Sequence, residues 1–123
     1  MDTALLDNMI ERCGSKAPND DIFLLAGVSH EDLCVAFAER VASEYLASRL
    51  SFEAADRAMN RLYTFSYVDK DRGMPRLAWE VFDAFDEGEY QHNGDPEDTD
   101  PEVKYTKPKI EQIVARVSSR PRA

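Results

Sequence analysis

Apolar residues in this chain recur at three- and four-residue steps, and that spacing constrains the fold more than any other feature. Leu33, Phe37, Val41 and Tyr45 repeat every four residues, with Cys34, Ala38 and Leu46 beside them. A stripe that wide predicts a central helix over about residues 30–48. Ser29 opens it, placed to accept from the Asp32 amide while Asp32 reaches back as in a capping box. Leu5, Leu6, Met9, Ile10 and Cys13 mark a helix capped by Asp2 or Thr3 and ended by Gly14–Ser15. Phe52, Ala55, Met59, Leu62 and Phe65 mark another behind Ser51 as N-cap, followed by a charged turn from Val68 to Gly73. Leu77, Ala78, Val81, Phe82 and Phe85 follow, entered at Pro75 and stopped at Gly88. Ile110, Ile113, Val114 and Val117 form the face of the last helix, with Thr106 as its N-cap and residues from Ser118 onward fraying. Ile22–Ala26 is too short for periodicity to classify, and with no second strand to pair with it reads as a helical turn. No alternating pattern of useful length and no internal repeat is present. The expectation is one all-α domain, residues 1–123, of four main helices plus a short helical segment, packed as a bundle or irregular helical array.

Length and charge bound the function. A chain of 123 residues buries about two-thirds of its unfolded surface, so neither a disulfide nor a metal is needed to hold its core. With 24 acidic and 15 basic side chains its net charge is -9. Phosphate backbones and anionic membranes are both repelled by such a surface, so no nucleic acid and no membrane is expected as a partner. No apolar run approaches the roughly 20 residues of a membrane helix, and the N-terminus lacks the basic flank and apolar block of a signal peptide. Cys13 and Cys34 form no CxxC pair and read as buried free thiols, in keeping with a cytoplasmic location.

The charge is unevenly placed. Ten carboxylates lie between Glu80 and Glu102, with no lysine or arginine among them. Asp83–Glu87 and Asp83–Asp86 are like-charge neighbours on a helix, and Asp86, Glu87 and Glu89 crowd the negative end of its dipole. Such a run usually forms the wet side of a helix followed by a solvated loop. Aromatic residues among the charges, Trp79, Phe82, Phe85 and Tyr90, favour a second reading. Rings within a single-sign field suit a surface that meets a basic protein. Phe82 and Phe85 fit the core stripe, which leaves Trp79 and Tyr90 to be exposed. The candidate partner-binding residues are therefore Trp79, Glu80, Asp83, Asp86, Glu87, Glu89, Tyr90, Asp95, Glu97 and Asp98.

Other chemistries find less support. Glu89 and His92 match Glu-x-x-His, but Gly88 precedes them and there is one copy where di-iron bundles use two. The segment from Asp95 to Asp100 lacks the glycine and closing glutamate of a calcium loop. His30 reads as a solvated residue in a helical first turn, and neither cysteine has an activating partner. There is no GxSxG, no HExxH and no phosphate-cradling glycine loop. The residues imply no enzyme and no cofactor. The basic tail from Lys104 to Arg122 reads as a helix drawn to the acidic block. A helical adaptor and a small carboxylate metal protein remain as alternatives to the basic-partner reading.

The stretch from Tyr45 to Asp56, with its Leu-Ser-Phe-Glu helix start, and the stretch from Trp79 to Tyr90 together resemble small helical bacterial immunity proteins. These include colicin D-type immunity proteins and the immunity partners of contact-dependent inhibition toxins. The resemblance spans roughly Tyr45 to Tyr90. It implies a cytoplasmic protein that blocks a basic toxin domain, often a nuclease, through an acidic surface.

Overall fold

The computed structural model describes residues 1–120 and folds them into six α-helices, with no β-strand among the described residues. They are α1 (Thr3–Arg12), α2 (Asn19–Phe23), α3 (His30–Leu46), α4 (Phe52–Tyr63), α5 (Arg76–Glu87) and α6 (Lys107–Ser118). The all-α reading holds. Each of the five apolar stripes is a separate helix, so there are five main helices beside the five-residue α2, not four. Residues 121–123, part of the tail expected to fray, lie outside the described residues.

The caps form largely as the side chains dictate. Asp2 accepts from the Ala4 amide at 2.9 Å, Ser29 from Asp32 at 3.1 Å and Ser51 from Ala54 at 3.1 Å. Each satisfies one of the amide donors that a helix start leaves unpaired. α3 is central and packs against α1, α4, α5 and α6. Its Cys34, Phe37, Ala38 and Val41 are fully buried. Phe23 meets Phe37 edge-on at 5.2 Å, and Tyr45 meets Phe85 the same way at 5.0 Å, joining α2, α3 and α5 through one core. Leu5 is the exception in its stripe, lying 40% exposed on the outer side of α1.

Two elements depart from simple α-helical periodicity. α4 does not stop near Phe65 but runs on as a π-helical segment, Thr64–Asp69, so Val68 and Asp69 belong to it and the turn begins at Lys70. The wider winding carries Ser66 into the core, 3.6 Å from the Cys34 sulfur. His30 is held there too, its Nε2 2.8 Å from the Gly73 carbonyl, and is not a free surface residue. The second π-helical segment, Glu102–Thr106, leads directly into α6. Thr106 stands at the N-cap position of α6, but its side chain caps no amide; its hydroxyl is buried and donates to the Ala84 carbonyl of α5 at 2.7 Å. Both cysteines are buried and unbridged. Burial raises the Cys13 thiol to about 11 and also pushes the Cys34 thiol up, so both stay protonated at neutral pH.

Candidate functional site: the two sides of helix α5

α5 buries Ala78, Val81, Ala84 and Phe85 against α3, α4 and α6. A helix with that inner face turns Trp79, Asp83 and Asp86 outward along one ridge and Arg76, Glu80 and Glu87 along another. The two ridges have different neighbours, and their charges meet different fates.

Towards α6, Glu80 is compensated. Arg116 of α6 and Arg76 one turn earlier both donate to its carboxylate, and only 14% of the side chain is exposed. These two guanidinium partners, Arg116 first, hold Glu80 below the usual carboxylate range. Arg120 pairs with Glu39 of α3 at the same end of the molecule. An open groove of about 440 Å³ runs between Leu77 of α5 and Val117 of α6, rimmed by these arginines.

Towards α4 the carboxylates have no such partners. Among the described residues no cation pairs with Asp83, Asp86 or Glu89 on this side, nor with Glu87 on the other ridge. Asp86 lies half-buried; burial first, then the negative charges of Glu89 and Asp83, push its carboxyl above the usual range. Asp56 of α4 joins them. Burial and a hydrogen bond to Glu89, reinforced by Asp86 and Glu53, raise Asp56 to about 8. Asp56 and Glu89 thus hold one proton between them more tightly than free carboxyls do. Asn60, one turn further along α4, donates to Glu89 at 3.4 Å. An open groove of about 520 Å³ lies along α4, lined by Phe52, Glu53, Asp56 and Asn60 but also by Arg57 and Arg61, and by no residue of α5. The sequence reading missed Asp56. Its signal is the pair Asp56 and Asn60, four apart and beside the buried Ala55 and Met59, but only the packing of α4 on α5 gives that pair a meaning.

The exposed rings are the expected ones. Trp79 is 43% exposed and Tyr90 53%, while Phe85 is buried and Phe82 is half-buried against the Tyr63 ring at 4.4 Å.

The segment after Gly88 is more ordered in its contacts than a solvated loop. Tyr90 stacks on His92 at 4.8 Å, and His92 on Tyr105 at 3.9 Å. Asp95 is the hub of this segment. Its carboxylate accepts from the Tyr105 hydroxyl at 2.6 Å, from the His92 amide at 3.0 Å and from Lys104, and only 5% of its side chain is exposed. The lysine and the tyrosine hydroxyl keep Asp95 well below the ordinary carboxylate range. Asp95 is therefore internally engaged and does not add to an outward field. Glu97 and Asp98 remain exposed on the turn between. Glu89 and His92 follow the end of α5 and do not share a helical face: Glu89 meets Asp56 and Asn60, whereas His92 Nε2 lies 3.0 Å from the Glu87 carbonyl.

Structure thus brings Asp83, Asp86 and Glu89 together with Asp56, flanked by Trp79, and sets Glu80 and Asp95 apart as neutralised residues. Among the described residues no group of three or more His, Cys, Asp or Glu is arranged to hold a metal ion. No described helix is long and apolar enough to cross a membrane. No family model, curated protein or solved structure matches the chain.

Proposed function

We propose that this chain is a non-catalytic binding protein that presents the α4–α5 carboxylate face to a basic protein domain and blocks it, as an immunity or inhibitor protein does. The observation that carries the reading is the group of Asp83, Asp86 and Glu89, which no cation pairs with among the described residues and which Asp56 of α4 borders as a protonated neighbour. Holding like charges at one helix end opposes the α5 dipole and costs stability. A cationic partner would relieve that cost on binding. A nuclease-type toxin domain fits, because a site that holds phosphate must be cationic and a carboxylate face competes for the same cations. No chemistry is required of the inhibitor itself.

The test uses the product of the neighbouring open reading frame as partner, in the host that encodes both. Co-expression of this chain is expected to restore growth where that product alone is toxic. The double substitution Asp83→Lys and Asp86→Lys is expected to slow association about tenfold or more at low salt and to flatten its salt dependence, with folding retained. Association of the double variant at the unaltered rate would contradict the reading.

A further inference from the structure

We propose, resting on the reading of this face as a partner surface, that the α5 ridge of Trp79, Asp83 and Asp86 receives an arginine side chain of the partner, stacked on the indole and paired with Asp83. Trp79 and Asp83 are one helical turn apart, and side chains on a helix lean towards its N-terminus, so the carboxylate of Asp83 lies over the turn that carries the ring. Among the described residues the indole has neither an aromatic ring nor a cation over its face. Tyr90 differs: one of its faces is already covered by His92. The nearest cation in sequence, Arg76, is held by Glu80 on the other ridge and leaves Trp79 and Asp83 unshielded.

An indole beside a carboxylate is matched by one group above others. A guanidinium is planar, so it stacks on the ring and still directs its donors into the carboxylate. An ammonium is compact and strongly hydrated, and it answers the charge without the stacking. A second copy of this chain is a poor occupant, because each copy carries a net charge of -9 and two copies repel.

Trp79 is the single tryptophan, so its emission reports on this ridge alone. The experiment titrates the intact chain at low ionic strength with a short arginine–serine repeat peptide and with the matched lysine–serine peptide. The arginine peptide is expected to change Trp79 emission and to bind about three- to tenfold more tightly than the lysine peptide. Trp79→Leu, followed by backbone amide shifts, is expected to bring the two peptides to parity while the lysine peptide binds as before. Equal affinity of both peptides for the unaltered chain, lost in Asp83→Asn with Asp86→Asn, would overturn the arginine assignment and leave the acidic face as a partner surface. Failure of both peptides to bind would overturn both. An emission change that follows protein concentration without peptide would give the ridge to a second copy and overturn the arginine assignment.

Discussion

Glu80 and Asp86 stand on one helix, less than two turns apart, in opposite electrostatic states. Glu80 faces α6, meets Arg116 and Arg76, and ionises more readily than a free carboxylate. Asp86 is partly withdrawn from water, faces Glu89 and Asp83, and ionises less readily. The difference lies in burial and in the charges that surround each carboxylate, not in the residue type. A run of acidic residues is therefore not one surface. Part of this run belongs to the internal economy of the fold, and part is left as uncompensated charge available to a partner.

The strongest way to break the comparison is to disturb the joint that carries both sides. Gly88 caps α5 with ordinary backbone angles, so its missing side chain matters for space. A Cβ there would lie 2.0 Å from the Thr106 hydroxyl oxygen and 3.1 Å from the Phe52 ring. Gly88→Ala is expected to cost about 2 kcal/mol in chemical denaturation, by overpacking and by displacing the Thr106 hydrogen bond to α5. Wild-type stability in this variant would mean that the α5–α6 joint is looser than described.

Asp56→Asn sharpens the α4 side. The folded chain holds the Asp56 proton more tightly than the unfolded chain does, since its value rises from 3.8 to about 8. The favourable share of this group is therefore complete below the ordinary carboxylate range and is lost as the pH rises towards 8. Asparagine keeps a donor for Glu89 and cannot ionise. The variant is expected to gain on the order of 1 kcal/mol over wild type above pH 8, a figure reduced for solvent screening at a half-exposed site, and to show little difference near pH 4. Matched stability curves across that range would remove Asp56 from the cluster.

Arg116→Ala acts on the α6 side and should have the smallest effect on folding. The pair it breaks is exposed on the arginine side, and Arg76 remains with Glu80, so the expected loss is below about 1 kcal/mol. It should nevertheless enlarge the negative field and speed association with a basic peptide at low salt. An unchanged association rate would show that the α6 side lies outside the reach of the partner surface.

The helices and their inner faces were legible because burial imposes a 3.6-residue period on the sequence. Leu33, Phe37, Val41 and Tyr45 do line the core, and Trp79 and Tyr90 are indeed the exposed rings. The π-helical segments were not legible, because one inserted residue shifts the period only locally: Val68 reads as turn, and Thr106 reads as a cap until its hydroxyl is seen bonded to Ala84. The split of the acidic run was hidden for another reason. Sequence places Glu80 beside Arg76 and draws the basic tail towards the acidic block, but it does not say that Arg116, 36 residues away, takes Glu80 and leaves Asp83 and Asp86. Asp56 and Asp95 likewise take their character from partners on other segments, Glu89 for one and Tyr105 and Lys104 for the other.

Side-chain carboxyl chemical shifts, followed by NMR across a pH titration of the intact chain, test the central claim most directly. The two sides of α5 should separate: Glu80 titrates below the ordinary carboxylate range, Asp86 above it, and Asp56 last, at about 8. Titration of Glu80, Asp86 and Asp56 together in the ordinary range would contradict the account.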